Sequence, residues 1–572
     1  MKAVAFLTHA VSRPPTQHLA SGQTVCAVQA DPATDTVKPS GLRFLSPEAA
    51  KRAAESTVKE EKLKVAKDGS AMWTEIEELA KLLREGQSRW EDIIPEDIDV
   101  RFKWAGLFHR RKRTPGKFMM RLKIPNGIVT SEMMRFFSQA VEKYGEAGCI
   151  DITTRQSIQL RGVVIEDCPD IFDNLHELGI TSFMTGMDNV RNLVGSPIAG
   201  IDPEELFDTR ELCANISDMI TNNRAGNPQF SNLPRKFNIC VSGSRDDFAH
   251  THINDLGFIP VPHRETGEIG FNVVVGGLFS IKRNEMSVPL NLWIHPSNVV
   301  EFCRAVLTVF RDHGARVSRQ SARFMYLVDQ WGVDTLRERV LQAMAVPVDS
   351  IEAQPESEEV FHRRDVLGVH PQKQEGLFWL GVNVPVGRMS AHDALEIARL
   401  ADRYSAGEIR LTVEQNVIFP NIKEKDLESL MAEDLIVSRF LPQPGNISRG
   451  LVSCTGSQFC GVAIIETKNR AMELAEVLEQ ELEMPNSVRI HWTGCPNSCG
   501  QAQVADIGLM GAPAKKDGKA VEGVNIFLHG RVGENPELAQ MVRKGVPCHF
   551  DDLVPAMKDI LKEHFGAVDK QN

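Results

Sequence analysis

Two stretches of the chain repeat one alternation of apolar and polar residues. In "FMMRLKIPNG" (118–127), Phe118, Met120, Leu122 and Ile124 share one side of a period-two pattern, with Arg121 and Lys123 on the other. This is the mark of a strand with one buried face. "FWLGVNVPVG" (378–387) lines up with it. Each is followed by a helical pattern, "TSEMMRFFSQAVEKY" (130–144) and "SAHDALEIARLADRY" (390–404). There Met134, Phe137, Val141 and Tyr144 match Ala394, Ile397, Ala401 and Tyr404, one apolar stripe at helical spacing. Ser390, with Asp393 three residues on, predicts an N-cap. After a one-residue gap, "IDITTRQSIQL" (150–160) lines up with "IRLTVEQNVIF" (409–419), a second strand in each copy. Strand, helix, strand, twice over, predicts two related α/β half-domains packed as a pseudo-symmetric pair.

The copies differ in charge. Arg155, Gln159 and Arg161 share a face opposite Ile158 and Leu160, so one polar sheet face is expected to carry Arg121, Lys123, Arg155 and Arg161. The second copy has Gly381, Asn383, Glu414 and Pro420 at those places. A solvated sheet face also carries Lys and Arg, but loss of charge in one copy favours a site. Several guanidinium groups together suit a ligand with several carboxylates, which arginine grips bidentately. "MDNVRN" (187–192) and "LPRKFN" (233–238) add Arg191, Arg235 and Lys236 in loop-like surroundings. Residues 29–100 read as a charged, helical leader without recognisable chemistry.

The 572 residues suffice for several domains, and no apolar run approaches a membrane-spanning length. Residues 1–28 contain Lys2 and Arg13 but no acid, and are rich in Ala, Ser and Thr. An organelle transit peptide, cleaved near 25–40, fits that composition better than a secretory signal; a disordered terminus is the plainer alternative. Removing it takes the formal charge from −11 to −13. So acidic a chain, without aromatic stacking pairs, does not point to nucleic acid. No G-x-G-x-x-G run occurs, so a built-in nicotinamide or flavin domain is unsupported.

Eleven cysteines spread over so long a chain do not form a secreted disulfide framework. Cys26, Cys149, Cys168, Cys213, Cys240, Cys303 and Cys548 are isolated and expected to be inert filler. Cys454 and Cys460 form C-x5-C in "CTGSQFC"; Cys495 and Cys499 form C-x3-C in "GCPNSCG". A helix from about 462 to 483 is predicted between the pairs. Structural zinc uses pairs two to four residues apart, which only the second pair satisfies. A disulfide pair and four thiolates around an iron–sulfur cluster are the other readings. Glycine-rich turns favour the cluster, because their amides can approach and hydrogen-bond the sulfurs.

"CTGSQFC" with "HWTGCPNSCGQAQVADIGLMG", and in order "GLFHRRK", "TTRQ", "GMDNVRN", "NLPRKFN", "GVHPQKQ" and "LTVEQN", closely resembles the sirohaem-dependent nitrite and sulfite reductase family over roughly residues 100–565. The resemblance implies an α+β fold in a three-lobed single chain. Two ferredoxin-like half-domains (101–175 and 360–430) would alternate with two related α/β domains, one with basic loops and no cluster cysteines (176–345) and one binding the cofactors (440–566). It implies a [4Fe–4S] cluster on Cys454, Cys460, Cys495 and Cys499, with Cys499 shared with the sirohaem iron. Arg121, Arg155 and Arg191 would face the sirohaem, and Arg121, Arg191, Lys236 and Asn238 the substrate. Sulfite-reducing members typically carry a second lysine where Asn238 stands; a less positive pocket suits a singly charged anion. The resemblance therefore implies reduction of nitrite to ammonium, electrons from reduced ferredoxin, a plastid stroma location and a monomer. Ferredoxin-sulfite reductase is the rival within the family, and a non-catalytic iron–sulfur or zinc protein the rival outside it. For docking acidic ferredoxin, "HRRKR" (109–113) is a candidate, a solvated turn being the alternative.

Overall fold

The computed structural model describes residues 41–109, 114–357 and 363–571. The segment 1–28 and residues 110–113 of the basic run lie outside the described residues.

Both repeats fold as their patterning predicts. In the first, strand Phe118–Arg121 lies between Leu107–His109 and Ile158–Val163, and Ile158–Val163 also pairs with Ile150–Ile152. In the second, Leu377–Val382 lies between Gly368–Pro371 and Val417–Lys423, which pairs with Glu408–Leu411. The helices Ser131–Glu142 and Ala391–Tyr404 pack on each other, with Met134, Phe137, Val141, Ala394, Ile397 and Ala401 in one shared core. The predicted cap is a full capping box: Ser390 Oγ accepts from Asp393 N (3.1 Å) and the Asp393 carboxylate accepts from Ser390 N (2.7 Å).

Each sheet is completed by the other copy. Strand Ile128–Thr130, from the first repeat, pairs with Glu408–Leu411; Arg388–Met389, from the second, pairs with Ile150–Ile152. The chain turns into each exchanged strand through matched left-handed residues, Asn126 and Gly127 (φ 57° and 66°) and Val386 and Gly387 (φ 46° and 68°). A Cβ on Gly127 would stand 2.8 Å from Gln156 Cβ and from Leu411 O, so glycine is needed for the crossing as well as for the angle.

Two further sheets share one topology. Val194–Gly195, Ile239–Val241 and Leu256–Pro262 run parallel, followed by antiparallel Ile269–Val275 and Val288–Ile294. Gly450–Ser453, Arg489–Thr493 and Ile507–Lys516 repeat the parallel trio, followed by antiparallel Lys519–Leu528 and Gln540–Pro547. Each has its own apolar core, and the two half-domains share a third with helix Met72–Arg84. The result is the expected α+β fold. Among the described residues no helix is long and apolar enough to cross a membrane.

One expected element is shorter than its pattern. The helix between the cysteine pairs runs Lys468–Glu481, not from about 462 to 483. Upstream of it, Ile464 N donates to Gly494 O (2.7 Å), tying the two cysteine turns together instead of entering a helix, and Ser457 N donates to Ile465 O (2.8 Å) within the first turn.

Candidate active site

The half-domains present two matched turns to the other sheets. Gln156 and Gln415 both adopt positive φ (49° and 67°). Gln156 Oε1 accepts from Gly195 N (2.9 Å) and Gln415 Oε1 from Ser453 N (2.8 Å), anchoring the first parallel strand of each following sheet. The turn of the first copy also grips the second cysteine pair: Thr154 Oγ1 donates to Cys499 O (3.0 Å), and Gln501 Nε2 to Thr154 O (3.2 Å).

Between these parts lies a cavity of about 330 Å³ lined by Arg121, Arg155, Arg191, Arg235, Lys236, Asn238, Arg323, Lys468, Cys454 and Cys499. Among its described lining residues the one carboxylate is Asp151, already held by Arg161 and Arg388. Burial, then Arg121, Arg155 and Arg235, push the Arg191 guanidinium well below its ordinary range. Burial and Arg323 likewise lower Arg155 to about 10. Lys236 is driven well down by burial first and Arg323 next, with Cys499 opposing. Arginines this basic stay charged in practice; Asp255, paired with Arg323 (2.7 Å), offsets part of their mutual repulsion, and an entering anion would relieve the rest. The Asn238 side-chain oxygen is buried with no partner among the described residues, while its backbone N donates to Asp255 Oδ2 (2.9 Å).

The basic groups are held from behind. Arg191 N donates to Phe237 O (2.8 Å), setting the two basic loops side by side. Arg121 Nη1 donates to Thr185 O (3.2 Å), with its guanidinium 4.4 Å from the Phe108 ring centroid. Asp188, three residues before Arg191, takes two bonds from Arg319 (2.6 and 2.7 Å) and one from Lys64 (3.1 Å). Lys64 also donates to Leu233 O (3.1 Å), so one residue of the leader braces both loops.

The four grouped cysteines occupy two facing turns. Cys454 Sγ accepts from Gly494 N (3.1 Å) and Gly456 N (3.4 Å), the glycine amides expected of a cluster turn. Burial and the neighbouring Cys499 push the Cys454 thiol up to about 11 despite those amides. Cys495 is influenced by both Cys499 and Cys460, so the four thiols form one neighbourhood. All described cysteines are free thiols, which removes the disulfide reading for them. Among the described residues no three His, Cys, Asp or Glu could hold one metal ion.

The polar face expected along the strands is split by the fold. Arg155 sits in the turn before Ile158–Val163 and lines the cavity. Arg161 is spent on Asp151 (2.6 Å) and Thr455 Oγ1 (2.7 Å) and does not line it. Lys123 is buried under the Arg191 loop, donating to Val190 O (2.9 Å) and Arg191 O (3.3 Å); burial, with Arg191, lowers it to about 7. Period-two counting separates the faces correctly, since Phe118, Met120, Leu122 and Ile124 are buried in one core, but it cannot tell which part of the polar face the cavity opens on. Arg323 and Lys468 were not foreseen: each lies far along the chain, in a segment whose pattern is that of an ordinary helix start.

The two related sheets also carry matched turns. Residues 238–258 and 489–509 align without a gap, with Asp247 and Ser498, and His250 and Gln501, all at positive φ. Ser244 then stands in place of Cys495 and Phe248 in place of Cys499. His250 Nδ1 and Gln501 Oε1 meet at 2.8 Å.

Two family descriptions cover this architecture twice each. "Nitrite and sulphite reductase 4Fe-4S domain" matches residues 186–348 and 445–565, and "Nitrite/Sulfite reductase ferredoxin-like half domain" matches 110–178 and 370–433. The chain belongs to the sirohaem-dependent nitrite and sulfite reductase family. Within it, the chain is 50% identical over 523 residues to a chloroplastic ferredoxin–nitrite reductase of Zea mays, covering 90% of each chain. It is also 50% identical over 507 residues to a ferredoxin–nitrite reductase of Leptolyngbya laminosa (89% of this chain, 97% of that one). An assimilatory ferredoxin-dependent nitrite reductase of Haloferax mediterranei is 36% identical over 504 residues, 83% of this chain and 84% of that one. Among solved structures, the Mycobacterium tuberculosis NirA protein superposes with a TM-score of 0.80 at 28% identity, over 90% of this chain and 94% of that one.

Proposed function

We propose that this chain is an oxidoreductase that reduces nitrite to ammonium with electrons taken singly from reduced ferredoxin. Of its cofactors, a [4Fe–4S] cluster would be held by Cys454, Cys460, Cys495 and Cys499, and a sirohaem would be held in the cationic cavity beside Cys499. The observation that carries this reading is the cavity wall: buried cations without free carboxylates, facing a thiol. That donor set fits a tetrapyrrole bearing many carboxylates, and the glycine amides on Cys454 fit a cluster turn. When bound, the cluster supplies electrons at low potential and the sirohaem an open iron face for a small anion.

The residues of the chain divide the remaining work. Arg155, Arg121 and Arg191 neutralise cofactor carboxylates, and Arg191 with Lys236 draws nitrite into the same field. Six electrons and eight protons convert nitrite to ammonium and two waters, so each departing oxygen needs protons. Lys236 is the donor of choice, since burial makes it the better acid while arginine holds its proton. Asn238 adds polarity without charge, which favours a monoanion over a dianion.

The test is turnover of nitrite and sulfite by purified protein with reduced ferredoxin, beside its visible spectrum. Soret and red bands with preference for nitrite are expected; a colourless protein, or iron without a macrocycle, refutes the reading. Asn238→Lys is expected to raise sulfite turnover relative to nitrite severalfold, and an unchanged ratio refutes the charge argument. A plastid location is supported by the acid-free composition of residues 1–28 and by chloroplastic plant relatives. Import into isolated chloroplasts, with shortening near residues 25–40, is the expected outcome.

A further inference from the structure

Behind the Cys454–Cys460 loop lies a buried ionic node. Asp151 accepts from Arg161 Nε (2.6 Å) and Arg388 Nε (2.9 Å), and Lys468 Nζ stands 3.7 Å away. Burial pushes the Asp151 carboxyl up, but Arg161, Lys468 and Arg388 outweigh it and hold it ionised far below the usual range. Three cations thus share one carboxylate, leaving a surplus of positive charge. That surplus touches the cysteine loop: Arg161 Nη2 donates to Thr455 Oγ1 (2.7 Å) and Arg388 Nη1 to Gln458 Oε1 (2.5 Å). Both guanidinium groups also lie over the Phe459 ring, at 4.5 and 5.2 Å from its centroid, one residue before Cys460.

The copy without cysteines lacks this node. By the repeat alignment Arg410 replaces Asp151, Pro420 replaces Arg161 and Ile128 replaces Arg388. Arg410 is turned to Glu408 of its own strand. Since the two half-domains otherwise match in sheet, helix and turn, a general packing role would be expected in both. The node instead accompanies the thiols.

We propose that Arg161, Arg388 and Lys468, gathered by Asp151, are the counter-charge of the cluster: they make its reduced, more negative state easier to reach and clamp its loop through Phe459. The proposal rests on the assignment of Cys454, Cys460, Cys495 and Cys499 to that cluster. The physical cause is Coulombic. A four-thiolate cluster gains one negative charge on reduction, and nearby partly buried cations stabilise that charge in a poorly screened setting.

The experiment is a potentiometric titration of the holoenzyme, read by low-temperature electron paramagnetic resonance of the reduced cluster. Wild type, Arg388→Gln, Arg161→Met, Arg161→Lys and Asp151→Asn are compared at matched iron, sulfide and sirohaem content. At a fixed potential, Arg388→Gln and Arg161→Met are expected to lower the reduced-to-oxidised ratio about tenfold, ~59 mV for a one-electron couple. Arg161→Lys is expected to restore much of it, and Asp151→Asn to raise the ratio above wild type. Removing an anion and removing a cation break the same contacts, so a purely structural role predicts shifts of one sign. Unchanged potentials, or shifts of one sign, overturn the proposal. Should Asp151→Asn fail to assemble, the ratio in Arg388→Gln, whose side chain reaches solvent, decides alone. Wild-type protein with sirohaem but no cluster signal would instead overturn the cysteine assignment.

Discussion

Lys236 shares its surroundings with Arg323, Arg191 and Arg155, and its acidity follows from that company. Lys236→Ala is expected to cut nitrite turnover about 10²-fold or more while leaving the visible spectrum in place; loss of the sirohaem bands would make it a cofactor residue. Glu414, at the place of Arg155 in the second copy, shows the opposite use of one position. Burial raises its carboxyl, but Arg363 and then His250 outweigh this and bring it to about 2. A carboxyl lowered on folding stabilises the native state above its unfolded value near 4.5, and that contribution is lost as pH falls toward 2. Glu414→Gln is therefore expected to lower the melting temperature at pH 7 by a few degrees and to flatten its decline between about pH 5 and 3. Both glutamate and arginine were visible as a charge difference between repeats. Their partners Arg363 and Arg323 were not, because only folding brings them near.

At the scale of elements, local signals carried far. The Ser390–Asp393 spacing became a capping box, and Ser390→Ala is expected to cost about 1 kcal/mol in denaturant unfolding. The stripes of Met134, Phe137 and Val141 and of Ala394, Ile397 and Ala401 became one helix pair, since a stripe of that width has to be buried against another. Exchange of Ile128–Thr130 and Arg388–Met389 between sheets left no trace in the pattern. Two or three extended residues after a turn have the same alternation whichever sheet receives them. The helix before Leu482 is shorter than its apolar spacing predicts for a related reason: that spacing cannot reveal that the Ile464 amide is taken by Gly494.

For the whole molecule, the leader proves to be part of the site's foundation. Lys64 and Asp188 are both buried and joined at 3.1 Å, with Glu61 and Arg316 in the same network. Lys64→Ala leaves buried carboxylates under-compensated and is expected to cost about 3–5 kcal/mol in denaturant unfolding. A raised nitrite KM in the surviving folded fraction would follow from loosening of the Arg191 and Lys236 loops. The family resemblance, not the pattern, put Asn238 and the loops of Arg191 and Lys236 in one pocket with Arg121; by itself the sequence determined the duplication, the strands and helices of each half-domain, the two cysteine turns and a basic sheet face carrying Arg121 and Arg155. These are properties of periodicity, spacing and residue chemistry, which are written along the chain. Only the tertiary structure decided that Arg161 and Lys123 leave that site, that Arg323 and Lys468 join it, and that residues near Lys64 brace it. Those outcomes depend on which distant segments share a buried space, where the cost of an unpaired charge selects the partner.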